Sequence, residues 1–322
     1  MPTTAPQPPG TGSHTARELA SQPDCWRRAA ASVTAHLPVL PRRGERVAVV
    51  GCGTSWFMAQ AYAALREHGG HGETDAFAAS AFPPARRYDR VLAITRSGTT
   101  TEVLDLLAAL KGTVPTSVLT ADPDTPVMDA ADAVAVLDFA DEQSVVQTRF
   151  ATTALALLRA HLEQEGALPA GVGPLEQAAL DAERAVTQPL PAATRDAEQI
   201  TFLGTDWTYA LALEAALKMR EAAGSWTEAY PAMEYRHGPA GITGPRRAVW
   251  VFGPAPRGLA DEVTRVGGTC LTGSGDGHGA SDPLADLVRA QRLAVLCAEE
   301  RGLDPDRPRN LTRSVVLAPD RG

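Results

Sequence analysis

The chain has 322 residues, of which 44% are hydrophobic and 21% charged, with a formal net charge of −8. This length predicts two domains of ordinary size, and the acidic balance argues against a nucleic-acid partner, since surfaces that bind nucleic acids are usually basic. No apolar run approaches the ~20 residues that a membrane span needs.

The N-terminal region and the cysteines indicate in which cellular compartment the protein is found. Residues 1–14 are rich in Pro, Thr and Gly and lack the basic and apolar segments of a signal peptide, so we expect a disordered tail. The four cysteines, Cys25, Cys52, Cys270 and Cys297, form no CxxC pair, which indicates neither a zinc site nor a disulfide framework. We therefore expect a cytoplasmic protein with no metal and no membrane partner.

The first strand-turn-helix unit is predicted at 46–69, after a helical segment at 15–37. The turn GCGTS places the hydroxyls of Thr54 and Ser55 at a helix N-terminus, where unpaired backbone N–H groups and the helix dipole favour an anion. The competing interpretation is a GxGxxG turn that binds a dinucleotide. Trp56 occupies the position of its third glycine, which argues against that interpretation.

A second hydroxyl-rich turn follows the strand predicted at 90–95. The turn TRSGTT at 95–100 precedes a helix that starts near Thr101. Two neighbouring turns of this kind suit a phosphate monoester, since each hydroxyl can donate a hydrogen bond and each turn exposes unpaired amides. The same side chains could instead only cap the two helices. A second hydroxyl-rich turn favours phosphate binding over capping alone.

Strands and helices alternate along the rest of the chain, which predicts parallel sheets flanked by helices. Further strands are predicted at 75–82, 116–121, 133–139, 248–253 and 268–273. Further helices are predicted at 144–166 and 284–302.

An internal repeat predicts two copies of one α/β fold. The stretch 199–218 echoes 46–69, with a Gly-Thr pair at 204–205 that stands 151 residues after the pair at 53–54. We predict a first domain at 15–170, a linker at 171–196, and a second domain at 197–322 that ends in a C-terminal tail. Only the first copy has the second hydroxyl-rich turn, so we expect phosphate there.

The densest group of ionisable side chains lies at 211–239. Glu214, Lys218 and Glu221 are spaced i, i+4 and i+7, which places them on one stripe of a helix that Gly224 would end. The loop expected after the helix carries Glu228, Tyr230, Glu234 and His237. An i, i+4 Glu–Lys pair is often only a surface stabiliser. Two carboxylates, an amine and an imidazole so close together instead favour acid–base chemistry.

This stretch resembles the signature of the sugar isomerase (SIS) family. The run ALEAALKMREAAGSWTEAYPAMEYRHGP is similar to the isomerase half of glucosamine-6-phosphate synthase and to phosphosugar ketose/aldose isomerases and deaminases. Four other segments resemble that family: the two hydroxyl-rich turns, VVQTRFATT at 145–153, and RPRNLTRSV at 307–315. The resemblance implies two tandem SIS domains, each a flavodoxin/Rossmann-like three-layer αβα sandwich.

The resemblance also implies a substrate and roles for the site residues. A sugar 6-phosphate would be held at its phosphate by Thr54, Ser55, Thr95, Arg96, Ser97 and Thr100, and at its sugar by Val145, Gln147 and Arg313. Glu221 would carry a proton between C1 and C2, Lys218 would orient Glu221, and Glu214 would orient Lys218. His237 would open the sugar ring from the neighbouring subunit, which implies a homodimer. No cofactor is implied.

One departure from the family narrows the expected reactions. Arg313 stands where the synthase branch has a lysine that forms an imine, which an arginine cannot do, and no glutaminase domain precedes residue 15. We therefore do not expect glutamine-dependent synthesis of glucosamine 6-phosphate. One alternative is an isomerase or deaminase acting on a hexosamine or hexose 6-phosphate of the glucosamine or N-acetylglucosamine type. The others are a lyase that eliminates a C3 substituent from an N-acetylhexosamine 6-phosphate, and a non-catalytic sugar-phosphate-binding regulator.

Overall fold

The computed structural model describes residues 13–273 and 281–318. The side chain of Ser13 accepts a hydrogen bond from the N–H of Ala16 and caps the first helix, so the chain is already helical at His14. Residues 1–12 of the predicted tail lie outside the described residues. Within the described ranges, no helix is both long enough and apolar enough to cross a membrane.

The first domain is built on a five-stranded sheet. Its strands are β1 (Val47–Gly51), β2 (Thr74–Ala78), β3 (Arg90–Ile94), β4 (Thr116–Thr120) and β5 (Ala133–Val136). They are all parallel, in the order β2-β1-β3-β4-β5. Strands β1, β3 and β4 are buried along their whole length, as expected for continuous apolar runs covered on both faces.

Helices cover both faces of this sheet. They are α1 (His14–Ala20), α2 (Gln22–His36), α3 (Thr54–His68), α4 (Thr101–Leu110), α5 (Val127–Ala130) and α6 (Arg149–Gln164), with 3₁₀ turns at Ala79–Ala81 and Asp138–Ala140. Strand β2 ends before the end of the strand predicted at 75–82, because the chain enters a 3₁₀ helix at Ala79.

The second domain repeats the design with four parallel strands. These are β6 (Gln199–Gly204), β7 (Thr227–Pro231), β8 (Arg247–Phe252) and β9 (Thr269–Thr272), in the order β7-β6-β8-β9. Its helices are α7 (Leu175–Thr187), α8 (Ala192–Arg195), α9 (Trp207–Ala223), α10 (Leu259–Arg265) and α11 (Pro283–Glu300), with 3₁₀ turns at Glu234–His237 and Pro239–Ile242.

One hydrophobic core joins the two domains. Helix α3 of the first domain packs against α9 of the second, and α9 packs against α11. Met58 on α3 and Ala215 on α9 belong to the same buried cluster. The predicted linker at 171–196 contains α7, whose buried Ala178 and Ala182 join that cluster. This packing brings α9 close to the turn that precedes α3.

Two segments differ from their predicted structure. The helix predicted at 144–166 begins only at Arg149, because residues before it form a loop that is bound to a buried carboxylate, Glu142. The loop predicted after α9 contains β7, which pairs with β6 as a parallel edge strand. A short five-residue strand with no continuous apolar run gives little signal in the sequence.

The predicted repeat spacing of 151 residues is wrong by two. The structure aligns Gly51 with Gly204, a spacing of 153 (204 minus 51), because each glycine ends the first strand of its sheet. A Cβ at either position would lie 2.7 or 2.3 Å from the backbone of the following helix. The N-caps also match, with φ 54° and ψ −125° at Gly53 and φ 52° and ψ −125° at Asp206.

Candidate active site

The two hydroxyl-rich turns lie side by side at one edge of the first sheet. One turn follows β1 and the other follows β3, which are adjacent parallel strands. In the sheet, β2 lies on one side of β1, while β3, β4 and β5 follow on its other side, so the direction of strand order reverses between β1 and β3. This is the topological switch point of an open α/β sheet, where a crevice outside the carboxyl ends of the strands commonly binds ligands.

A cleft of about 220 Å³ lies at this edge. The predicted phosphate and sugar residues line it together with the predicted base: Thr54, Ser55, Thr95, Arg96, Ser97, Thr100, Val145, Gln147, Arg313 and Glu221. The C-terminal segment, Leu311 to Val315, also lines the cleft. Folding therefore brings residues from five separate parts of the chain to one place.

The hydroxyls of the two turns do not cap the helices that follow. The N-cap of α3 is Gly53 and that of α4 is Thr100, and neither makes a side-chain capping hydrogen bond. The Ser97 hydroxyl accepts hydrogen bonds from the N–H of Thr99 at 3.3 Å and from its hydroxyl at 3.1 Å. The alternative that these side chains serve only as helix caps therefore lacks support.

The predicted stripe on α9 reaches the cleft from the second domain. Side-chain exposure rises along it, from 0% at Glu214 and 1% at Lys218 to 19% at Glu221. The Lys218 ammonium forms ion pairs with both carboxylates, at 3.4 Å from Glu214 Oε1 and closer to Glu221 Oε2. It also donates to the hydroxyl of Thr54 at 2.9 Å. Lys218 thus joins the ionisable stripe of one domain to the hydroxyl-rich turn of the other.

Burial and the neighbouring charges shift the pKa values of Glu214 and Lys218 on this stripe. Loss of solvent raises the pKa of Glu214 to about 8, against the opposing attraction of Lys218. Burial disfavours the charged form of Lys218, but the two neighbouring carboxylates outweigh it and raise the pKa of the amine. The charged ammonium of Lys218 therefore lies between Glu221 and the buried Glu214, whose ionisation burial makes less favourable.

Both arginines of the cleft are paired with acidic groups. Arg96 is 5% exposed and donates to Glu142 Oε2 at 3.1 Å. Arg313 donates to Asp141 Oδ1 at 2.5 Å and to the carbonyl oxygen of Glu142. Arg313, predicted to contact the sugar, thus lines the cleft while it is paired with an acid. Neither Asp141 nor Glu142 was predicted from the sequence.

The C-terminal segment lies across the N-terminus of α4. The carbonyl of Val315 accepts from the N–H of Thr101 at 3.1 Å, and the Thr101 hydroxyl accepts from the N–H of Leu317 at 2.9 Å. The hydroxyl oxygens of Thr99 and Ser314 lie 2.9 Å apart, within hydrogen-bonding distance. The segment therefore forms one wall of the cleft next to the second hydroxyl-rich turn.

Comparison with known proteins identifies aminotransferases as relatives. No family model matches the chain. It is 28% identical over 312 residues to glutamine–fructose-6-phosphate aminotransferase (isomerizing) of Methanothermobacter thermautotrophicus, which covers 85% of the chain and 52% of that protein. The enzyme of the same name from Xylella fastidiosa is 30% identical over 274 residues, covering 70% and 44%. The chain thus spans about half the length of these relatives.

Solved structures match almost the whole chain. Glucosamine-6-phosphate deaminase from Thermotoga maritima superposes with a TM-score of 0.80 at 24% identity, covering 95% of this chain and 100% of that one. The C-terminal domain of glucosamine-fructose-6-phosphate aminotransferase from Francisella tularensis gives 0.77 at 20% identity, covering 92% and 99%. The chain consists of two tandem SIS domains. The resemblance to the SIS family is therefore confirmed. The predicted fold of two parallel sheets, each flanked by helices in a three-layer arrangement, is confirmed as well.

Three predicted site residues do not line the cleft: Glu214 and Lys218 are buried on α9, and His237 lies on a separate element. His237 ends a 3₁₀ helix and is exposed, and it is not among the described residues that line the cleft with Glu221. The same region exposes large apolar side chains, with Trp226 75%, Met233 54% and Ile242 44% exposed. Of the other ionisable residues, Glu228 and Tyr230 lie on β7 and hydrogen bond to each other at 3.3 Å.

Proposed function

We propose that this tandem SIS protein is an enzyme that acts on a hexosamine or hexose 6-phosphate as an isomerase or deaminase. The observation that carries the proposal is the contact of Lys218 with Thr54, which couples the ionisable stripe to a hydroxyl-rich turn at 2.9 Å. Glu221 lines the same cleft as both turns. A phosphate anchor and a proton-transfer group are thus within one small cavity.

The phosphate would be held mainly by neutral donors. Thr54, Ser55, Ser97 and Thr100 line the cleft. The turn that follows β1 leads into the N-terminus of α3, where the helix dipole favours an anion. The guanidinium groups of the cleft are already paired with carboxylates. Hydroxyl groups and backbone amides would therefore supply most of the hydrogen bonds to the phosphate.

The chemical step would be proton transfer by Glu221. In the open-chain aldose, Glu221 would remove the proton from C2, and the charge that develops on O1 would be stabilised by the ammonium of Lys218. Return of the proton to C1, together with passage of the O2 hydroxyl proton to O1, gives the ketose. In a hexosamine the same transfer leaves an imine at C2, and water then adds to C2 and releases ammonia. Glu214 would keep Lys218 in place without competing for the substrate proton.

A second copy of the chain would supply His237. Within one chain this histidine is exposed and does not line the cleft, while Trp226, Met233 and Ile242 expose apolar surface in the same region. Apolar side chains of this size are enriched at protein interfaces. In a symmetric dimer each copy would present His237 to the other copy's cleft, where a neutral imidazole can open the sugar ring.

Incubation with a panel of 6-phosphosugars tests the activity. Release of ammonia would identify a deaminase, formation of a ketose an isomerase, and an ultraviolet-absorbing unsaturated product the elimination of a C3 substituent. Binding without turnover would mean a sugar-phosphate-binding regulator. Glu221→Gln keeps the shape of the side chain but cannot accept the proton, so we expect it to bind substrate and not turn it over. Undiminished turnover would exclude Glu221 as the base.

Mixing two inactive variants tests the donation of His237. Random pairing of Glu221→Gln with His237→Ala makes half of the dimers mixed, and each mixed dimer has one intact site, so about a quarter of the wild-type activity should return. In the control, Glu221→Gln mixed with Lys218→Met should stay inactive, because both defects fall in the same chain's stripe. No recovery in the first mixture would place His237 in the site of its own chain, and full activity of His237→Ala by itself would place it outside catalysis.

A further inference from the structure

A buried ion pair lies beneath the cleft. The Arg96 side chain is 5% exposed and that of Glu142 is 0% exposed, with Nη1 and Oε2 3.1 Å apart. Burying two charges is unfavourable unless their remaining hydrogen-bonding positions are also satisfied. In this pair, both partners make several further hydrogen bonds, which reach residues 144–149 and the C-terminal segment.

Glu142 fixes the segment that carries Val145 and Gln147. Its Oε1 accepts from the N–H of Thr148 at 2.7 Å, from the Thr148 hydroxyl at 2.9 Å and from the N–H of Arg149 at 2.6 Å. These amides lie at the start of α6, where backbone N–H groups have no partner within the helix. The carboxylate therefore sets where α6 begins and how residues 145–147 enter the cleft.

Arg96 fixes the same segment from the other side and adds the C-terminal segment. Nη1 donates to the carbonyl of Ser144 at 3.2 Å, and Nη2 donates to the carbonyls of Val145 at 3.0 Å and Arg313 at 3.2 Å. The backbone of Arg96 itself belongs to the second hydroxyl-rich turn. All three segments that line this side of the cleft therefore meet at one ion pair.

We propose that Glu142 is a positioning residue that acts through Arg96. Together they hold the hydroxyl-rich turn at 95–100, residues 144–148 and the C-terminal segment at the spacing that a 6-phosphosugar requires. Neither charged group needs to touch the substrate, because both are used in holding the segments together. This inference rests on the proposed function of the cleft, and it assigns Arg96 a structural role in place of phosphate binding.

The variant Glu142→Gln tests the inference. Glutamine keeps the size and the acceptor for the α6 amides but removes the charge opposite Arg96. We expect the dissociation constant for glucosamine 6-phosphate, measured by calorimetry, to rise about tenfold, since small displacements of binding groups weaken binding strongly. The double variant R96M/E142Q should bind no more weakly than the weaker of the two single variants, because both changes act through one pair.

Glu45→Gln is the matched control. Glu45 pairs with Arg90 at 3.0 Å, with side chains 18% and 10% exposed, and Arg90 begins β3 at the opposite edge of the same sheet. Breaking this pair should lower thermal stability while changing the dissociation constant by less than about twofold. Equal weakening of binding by Glu45→Gln, or unchanged binding in Glu142→Gln, would overturn the inference.

Hydrogen–deuterium exchange gives a readout that needs no ligand. In Glu142→Gln, the amides at 95–101, 143–149 and 311–317 should exchange faster together, and in Glu45→Gln they should not. Unchanged exchange at 311–317 would refute the coupling. If the wild type binds no 6-phosphosugar, the proposed function fails while this experiment still tests the positioning. Should Glu142→Gln not fold, R96M/E142Q, which leaves no unpaired buried charge, takes its place in both measurements.

Discussion

The buried carboxyl of Glu214 should make the stability of the fold depend on pH. Glu214 is fully buried on α9, and burial raises its pKa from 4.5 to about 8. Because the folded pKa lies above the unfolded one, the folded protein retains a proton that the unfolded chain releases between these values. The carboxyl is therefore well tolerated below about pH 4.5, and stability is progressively lost as the pH rises towards 8.

The size of the effect follows from the shift. A difference of 3.5 pKa units (8 minus 4.5) at ~1.4 kcal/mol per unit gives a loss of at most ~5 kcal/mol. Glutamine has nearly the same shape and never ionises, so Glu214→Gln should not suffer this loss. At about pH 5 the variant and the wild type should be close in stability, and at about pH 8.5 the variant should be more stable by several kcal/mol.

Urea unfolding at a series of pH values measures how the stabilities of the wild type and of Glu214→Gln depend on pH. The difference in unfolding free energy between variant and wild type cancels the titration of groups that do not interact with Glu214, and Lys218 stays protonated over this pH range because its pKa is raised. Glu262→Gln is a surface control whose difference from wild type should be flat between about pH 5 and 9, since its carboxyl is exposed and paired with Arg236. A flat difference for Glu214→Gln as well would refute a raised pKa caused by burial.

Three further changes test the turn, the strained cap and a buried histidine. Ser97→Ala should weaken binding of a 6-phosphosugar by roughly tenfold or more, because it removes one hydrogen bond to a charged group. The control Ser117→Ala, at a residue that is buried on β4 and does not line the cleft, should leave binding unchanged. If both variants bind the sugar equally well, the phosphate binds elsewhere. Asp206→Gly should raise the urea midpoint by an amount equivalent to ~1 kcal/mol, because Asp206 has φ 52° and ψ −125° in a conformation that suits glycine; a lower midpoint would mean that the Asp side chain outweighs the strain. Burial, with help from the charge of Arg66, lowers the pKa of His71 to about 4, so stability should be full above about pH 6.5 and fall as the pH drops towards 4. His71→Asn should reduce that acid sensitivity in urea titrations, and an unaltered acid profile would contradict it.

Local patterns predicted most of the elements. Continuous apolar runs such as Val47 to Val50 predicted the buried strands, and the i, i+4, i+7 spacing on α9 predicted the stripe of Glu214, Lys218 and Glu221. These features depend on neighbours within a few residues, so they can be read without knowing the rest of the fold. The edge strand β7 was missed because it forms only by pairing with the separate strand β6. The late start of α6 was missed because nothing in the spacing shows that the Glu142 carboxylate binds the amides of Thr148 and Arg149.

The sequence alone therefore determined the fold class, the two hydroxyl-rich turns and the identity of the ionisable residues. The tertiary structure was needed to bring Lys218 within 2.9 Å of Thr54, 164 residues away, and to pair Arg96 with Glu142. It also raised the pKa of Glu214, because burial depends on what packs around a side chain and not on its spacing along a helix. Contacts between distant segments come from the packing of whole elements, which no local pattern encodes.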